Sequence, residues 1–371
     1  MKITIFGDIC PTLDTQDAFN RGDIEAIFGD VLDEIKSSDI VIGNLESAVT
    51  DNPIPIKKAG PVLYTSTKSI ESLRYFNAIS LANNHIRDCG DDGVLTAIES
   101  CKINKIQTFG AGRTLSDAKS PIIIEIEGKK VGFMAFAEHE FNLATSERPG
   151  ACDLDVYNDF DRIREFRKTV DCLIIIYHGG IEYYPYASPE LSKKCRKFVD
   201  CGADLVTCQH SHCIGTVEKY KNSTIVYGLG NSVFGFREGN HIWNQGLLIQ
   251  IIIDGDNISV MYKGITATSN GIRLMTEEEQ KQLCREIDER SAMSEVELSR
   301  EWDKFCYNHA LIHIPLLLGW PRLLIFLNRV TNNSIVRLLY SRKKYNNTHN
   351  LIRCESLYEV IKSSLSKKDF E

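Results

Sequence analysis

One recurring feature limits what this chain can fold into: short apolar runs that each stop at Gly, Asp, Asn or His. They are Ile3–Phe6, Ile40–Ile42, Ala78–Leu81, Gln107–Phe109, Leu173–Tyr177, Leu205–Cys208 and Ile225–Tyr227. Runs of this length bounded by turn residues suit buried strands. Helical stretches lie between them, at Thr67–Phe76, Gly93–Lys102 and Pro189–Cys201. Strands alternating with helices predict an α/β domain. Two hairpins interrupt the alternation: Ile122–Ile126 with Val131–Phe136, and Leu247–Ile253 with Ile258–Tyr262, each turning through a Gly-containing loop. The sheet, or pair of sheets, is therefore mixed.

The length of 371 residues predicts two domains, or one large domain with an appendage. The hydrophobic share of 43% and charged share of 25% exclude a disordered chain, a collagen and a multi-span membrane protein. A net charge of −7 offers no basic face for general nucleic-acid binding. Met1–Asp8 enters a strand without an apolar signal core, and no two of the 12 cysteines are spaced C-x-x-C. The expectation is a cytoplasmic protein with reduced cysteines.

The character changes near residue 275. Thr276 followed by Glu279 fits a capping box, and everything beyond it reads as helical. The expected division is thus 1–274 and 275–371, the second part a helical extension. Its first stretch, 276–304, carries 10 acidic and 5 basic residues, whereas 305–371 carries 10 basic and 4 acidic. Ala310–Leu327 is mostly apolar but holds Pro315 and Pro321, which are expected to break a single helix and argue against a membrane span. The tail then packs on the first domain or a partner. The alternative is peripheral contact with an anionic membrane.

Polar residues fall where the apolar runs end: Asp8, Asn44 to Glu46, Asn83 to His85, His178 to Gly180, and Gln209 to His212. Ligands of α/β sheets collect beyond the carboxyl ends of strands. Four of the nine histidines, His85, His178, His210 and His212, lie in these segments. Singly, Asp8 reads as a turn cap, Glu46 as a loop acid and His85 as a structural histidine. Together they predict one metal site. His210 and His212, two apart on an extended backbone, would put both rings on one side. Carboxylates, an amide and imidazoles without paired thiols suit Mn²⁺, Zn²⁺ or Fe²⁺. Two such ions about 3.5–4 Å apart can clamp an in-line displacement at phosphorus, with an imidazole as acid for the leaving oxygen. Glu138-His139-Glu140 reads as a solvated loop, with a pocket lining as the alternative.

The ordered set FGD (6–8), GNLE (43–46), LANNHIRDCGDDGV (81–94), YHGGIEYYP (177–185), GADLVTCQHSHCIGTVEKY (202–220) and IVYGLGNSVF (225–234) resembles the bacterial CapA family of capsule and poly-γ-glutamate synthesis proteins. That family is related to the calcineurin-like metallophosphoesterases. The resemblance covers about residues 1–270. It implies a four-layer α/β/β/α sandwich with a dinuclear site at the strand ends. It also implies roles: Glu46 bridging two divalent ions, Asp8 and His212 on one, and Asn84, His178 and His210 on the other. His85 becomes the general acid with Asp88 orienting its ring, and Glu182 and Asn231 contact the ligands or the substrate. The superfamily's Asp-x-His is here Asp8-Ile9-Cys10, making Cys10 either an additional ligand or a buried spectator. Gln209 replaces the Gly usual before the first histidine of its motif.

The implied activity is metal-dependent hydrolysis of a phosphoester or related anionic bond in cell-envelope polymer synthesis. The alternatives are an amide hydrolase or transferase on a γ-linked polymer, and a non-catalytic accessory of capsule assembly. The expected partners are an anionic or phosphorylated substrate, polymeric in the envelope context, and a membrane or synthase surface met by 305–371. Nucleic acid is not expected, and self-association is left open.

Overall fold

The computed structural model describes residues 1–255, 257–339 and 342–365. Residue 256 of the second hairpin turn, and 340, 341 and 366–371 of the basic tail, lie outside them. The chain divides into two compact units, Met1–Ala292 and Met293–Glu371.

The first unit is built on two sheets. Its strands are β1 (Lys2–Ile9), β2 (Ile40–Leu45), β3 (Ala78–Ser80), β4 (Gln107–Phe109), β5 (Ile122–Ile126), β6 (Lys129–Ala137), β7 (Cys172–His178), β8 (Leu205–Gln209), β9 (Val217–Tyr220), β10 (Ser223–Val226), β11 (Asn231–Val233), β12 (Gln245–Asp254), β13 (Asn257–Ala267) and β14 (Ile272–Leu274). One sheet runs β14-β13-β12-β1-β2-β3-β4 with β11 also paired to β1, and the other runs β9-β10-β8-β7-β6-β5. β1 to β4 are parallel, as are β6, β7, β8 and β10. The hairpins β5–β6 and β12–β13 are antiparallel, so both sheets are mixed.

Period-two burial assigns the faces. In β7, Cys172, Ile174 and Ile176 join a core that also holds Ile3, Ile5, Ile249 and Ile251 of the first sheet. Leu173, Ile175 and Tyr177 instead pack with Ile163, Leu191 and Phe198 on the outer helices α5 (Asp159–Arg167) and α6 (Pro189–Asp200). The first sheet is covered on its outer side by α1 (Gln16–Asn20), α2 (Ile24–Phe28), α3 (Val31–Lys36) and α4 (Gly90–Ile103), with Phe6 packed on Phe28 and Phe76 at ring separations of 6.1 and 5.1 Å. Phe109 meets Phe133 across the inter-sheet core at 6.1 Å. The layers are helix, sheet, sheet, helix: the α/β/β/α sandwich. The stretch expected to be helical at Thr67–Phe76 is a 3₁₀ helix over Thr67–Leu73.

Two features set the rim. Continuing the parity of β7, His178 falls on the inter-sheet side at the strand's end, paired in register with Gln209 of β8. In the first sheet Asp8 lies level with Asn44 of β2 and Asn231 of β11. The close approach of β1 to the chain before β11 requires Gly7, where a Cβ would stand 2.6 Å from the Gly230 carbonyl oxygen.

The boundary falls later than 274/275. Helix α7 (Glu277–Ser291) carries Leu283 and Ile287, one turn apart, into the main core. Its Gln280 accepts a hydrogen bond from the Gly264 N–H at 2.6 Å, so the acidic helix belongs to the sandwich. The capping box of Thr276 and Glu279 is present. In the second unit, Pro315 sits inside α8 (Glu295–Leu317) rather than ending it. The break comes at Gly319, whose φ of +65° lets its N–H reach Leu316 O while Trp320 N–H reaches Pro315 O, a Schellman stop before Pro321. Among the described residues no helix is long and apolar enough to cross a membrane.

A half-buried acid ties α3 to three strands. Glu34 accepts from Lys2 at 2.9 Å, Lys263 at 2.5 Å and Gln250 at 2.6 Å. Burial pushes its carboxyl up, but these donors outweigh burial and hold it at about 2. A depressed acid stabilises the fold above its ordinary range, and that contribution disappears as pH falls through the depressed value. Glu34→Gln is therefore expected to lower stability at pH 7 by about 1 kcal/mol, a modest figure because Lys263 is half-exposed. Urea melts of the two proteins should differ at pH 7 and converge towards pH 2.

Candidate metal centre

Six polar groups converge where strand ends of both sheets meet. Asp8, Glu46, Asn84, His178, His210 and His212 are all buried. Ligand atoms of Glu46, His178 and His210 lie within 4.8 Å of one another, and so do those of Asp8, Glu46 and His212. Glu46 is common to both triads. Asn84 adjoins the first, its Oδ1 3.0 Å from His178 Nε2. This is the grouping the resemblance implies.

The electrostatics fit cations. Glu46 is fully buried, yet neither carboxylate oxygen meets a hydrogen-bond donor among the described residues, and His210 Nδ1 is likewise unsatisfied. Buried polar groups are almost always paired, so orphaned oxygens aimed into a ring of imidazoles mark a place for a ligand. Burial pushes the Glu46 carboxyl well above its ordinary range, and Glu182, Glu140 and Asp88 add to the rise. Asp8 is pushed up to about 6, first by burial and then by Glu46. Burial also lowers His178, His210 and His212, keeping their rings neutral and able to ligate. The donors present suit divalent ions of the Mn²⁺, Zn²⁺ or Fe²⁺ kind.

These shifts set a pH dependence. A raised acid keeps its proton until pH passes its folded value, whereas the lowered imidazoles are already neutral there. Competition with a cation thus comes from the carboxyls. Mn²⁺ affinity is expected to rise steeply between pH 5 and pH 7.5, with protons released from Asp8 and Glu46. Calorimetric titrations in buffers of different ionisation enthalpy would count those protons. A flat affinity over this range would contradict the assignment.

Supporting contacts fix the ligands. Asp8 Oδ1 accepts from Asn44 Nδ2 at 2.8 Å, and Oδ2 from the His210 N–H at 3.0 Å. Asn231 donates through Nδ2 to Trp243 O at 2.9 Å, which turns its Oδ1 towards His212 Nδ1 at 2.8 Å. His212 therefore carries its proton on Nδ1 and offers Nε2, the orientation a metal-bound imidazole needs. Gln209, unexplained in sequence, donates from its buried amide to Phe6 O at 3.2 Å and so ties β8 to β1 beneath the site.

His85 stands beside the triads, its Nε2 3.9 Å from Glu46 Oε1. Its Nδ1 meets Asp88 Oδ2 at 2.6 Å. A carboxylate only accepts, so Nδ1 donates and Nε2 faces the centre. Asp88 is held in turn by the Leu63 N–H at 2.7 Å and by the buried Lys58 ammonium.

One expectation needs correction, and the remaining site residues take definite places. His210 and His212 are not on extended backbone: their φ values are +89° and +50°, left-handed conformations that non-glycine residues keep only where the surroundings enforce them. Their rings lie 6.2 Å apart and serve different triads. Cys10 is no ligand. It packs with Phe234 and Trp243, and burial followed by Glu46 raises its thiol well above the ordinary value, suppressing the thiolate. Glu182 is exposed in the loop after β7 and reaches Glu46 only through space. Glu138 is half-buried and anchors the Gly180 N–H at 3.1 Å, whereas His139 and Glu140 are exposed. Lys58 and Asn44 were missed. Asn44 had a signal, its place at a strand end two residues before Glu46. Lys58, in a polar loop, had none.

A two-sheet sandwich with carboxylates, an amide and imidazoles gathered at its strand ends defines a protein built around a candidate metal centre. The chain belongs to the bacterial capsule synthesis protein family PGA_cap, whose model matches residues 2–236. It is 28% identical over 245 residues to capsule biosynthesis protein CapA of Bacillus anthracis, covering 63% of this chain and 60% of that protein. It is 27% identical over 241 residues to PGA biosynthesis protein CapA of Bacillus subtilis, with 63% of each chain covered. The match thus spans about three fifths of the length of these relatives. A 5′-nucleotidase precursor from Thermus thermophilus overlays with a TM-score of 0.40 at 12% identity, covering 79% of this chain and 58% of that one.

Proposed function

We propose that this protein is a metal-dependent hydrolase acting on a phosphoester or a related anionic bond in the synthesis of a capsule or other anionic envelope polymer. The observation that carries the reading is Glu46, a buried carboxylate with both oxygens unsatisfied and a place in both ligand triads. Asp8, Glu46 and His212 would hold one divalent ion, and Glu46, Asn84, His178 and His210 the other. When bound, such ions supply positive charge against the oxygens of the group under attack.

The chain's own residues do the rest. Asn231 and Asn44 hold His212 and Asp8 in ligating orientations. Asp88 accepts from His85 Nδ1 and so keeps the ring turned with Nε2 towards the leaving oxygen, the placement a proton donor needs.

The test is turnover of aryl phosphate esters by Mn²⁺-loaded protein, with metal content measured in parallel. The reading expects two ions per chain and loss of turnover in the double variant Asn84→Ala, His178→Ala. Equal turnover by that variant and the wild type would end it.

A second reading rests on Cys10. With that side chain turned into an apolar cluster, Asp8, Glu46 and His212 form a sparse shell for one ion. A single bound ion without turnover would favour a non-catalytic accessory that binds an anionic polymer. Products bearing new amine and carboxylate ends would instead favour amide cleavage, and an acyl group moved to a new acceptor amine would favour transfer. In either case we propose that the basic, apolar stretch 305–371 meets a membrane or synthase surface. Identical fractionation of full-length protein and protein lacking 305–371 would contradict that.

A further inference from the structure

Beside the candidate metal centre lies a cavity of about 350 Å³ that the chemistry above does not use. Its walls include Leu63, Phe234 and Trp243, and its polar groups include Thr12, Gln16 and Arg237. It adjoins the centre through its own lining. Phe234 and Trp243 pack on the His212 ring at 5.0 and 4.9 Å, and the Leu63 N–H holds Asp88. A substrate with its reacting group on the triads would extend its neighbouring unit into this space.

The charged member of the lining is Arg237. Its guanidinium stacks on the Trp243 indole, 3.2 Å from the ring centroid, and its Nη1 stands 3.4 Å from Tyr183 Oη. Among the described residues it forms no ion pair with a carboxylate. Its backbone is clamped from both sides by one amide: Asn244 Oδ1 accepts from the Arg237 N–H at 2.9 Å and Asn244 Nδ2 donates to Arg237 O at 2.7 Å. The indole is fixed by its own hydrogen bond to Gly235 O at 3.0 Å. Arg237 is exposed at the edge of the cavity, and an arginine stacked on an aromatic ring with no carboxylate partner among the described residues can receive an anion there. A single cation in a lining that is otherwise apolar or neutral matches a monoanion with an aliphatic or ring body better than a phosphate dianion. The volume is at the low end for ligand pockets and suits one small unit.

We infer that this cavity is a subsite for a carboxylate-bearing unit of the substrate, with Arg237 gripping the carboxylate and Trp243 supporting it. The inference rests on the metal-centre reading for its orientation, but its test does not need turnover. Full-length protein, metal-free and with Mn²⁺, is titrated calorimetrically with γ-linked triglutamate, with trigalacturonate and with a neutral N-acetylated γ-linked triglutamate whose free carboxyls are all carboxamides. At least one carboxylated probe should bind more tightly than the neutral one. Arg237→Gln should weaken that binding about tenfold and leave the neutral probe unchanged, while Arg237→Lys retains part of the affinity. Preference for triglutamate assigns an amino-acid polymer, and preference for trigalacturonate a uronate polymer. Equal affinity for charged and neutral probes, no binding by either carboxylated probe, or indifference to Arg237→Gln would overturn the subsite. Loss of hydrolysis with these affinities intact would sink only the reading of the centre.

Discussion

Glu46→Gln is expected to abolish binding of the second ion and lower turnover by about a thousandfold, while making the metal-free protein more stable. The two effects have one cause. In the wild type a carboxylate is buried with no donor on either oxygen among the described residues. Its raised pKa means that the folded state resists its ionisation, so the destabilisation it brings grows as pH rises. An amide of the same shape has no proton to lose. Melting of metal-free protein at pH 8 should therefore move up by a few degrees in the variant, on the scale of about 1–3 kcal/mol for an uncompensated buried group. The same replacement removes the negative charge shared by both triads, so the stabilisation that Mn²⁺ gives the wild type should largely vanish. Loss of an electrostatic contact made in the transition state typically lowers rates by about 10²–10³-fold. A variant that melts lower than the wild type without metal would contradict this account of the centre.

His85→Asn is expected to leave metal content unchanged and to lower turnover by about 10²–10⁴-fold on substrates with poor leaving groups. The loss should shrink for aryl phosphates whose phenols leave readily, since such oxygens need little protonation. This leaving-group dependence separates a proton donor from a structural ring, whose removal would lower all substrates alike. Asp88→Asn should show the same pattern more weakly, because it removes the carboxylate that receives the Nδ1 proton at 2.6 Å. Equal losses across leaving groups would remove His85 from the role of acid.

Most of the fold could be read along the chain. β1, β2, β3, β7 and β8 begin or end within a few residues of the apolar runs, because buried parallel strands are continuous hydrophobic stretches cut by turn residues. The site was legible for the same reason, since polar groups at five run ends had to emerge at one rim. What misled was local. Pro315 and the spacing of His210 and His212 invited readings from backbone rules, and tertiary context overrode both.

The sequence by itself determined the alternation of strands and helices and the rim where polar residues collect, both of which follow from neighbours in the chain. The set Asp8, Glu46, Asn84, His178, His210 and His212 was singled out within that rim by the resemblance of its motifs to the CapA family. The tertiary structure decided what depends on residues far apart in sequence: Glu46 standing in both triads, Cys10 turned into an aromatic cluster, Lys58 beneath Asp88, and Arg237 stacked on Trp243. Burial and the direction of a side chain are set by the packing of one sheet against the other, and no local pattern encodes them.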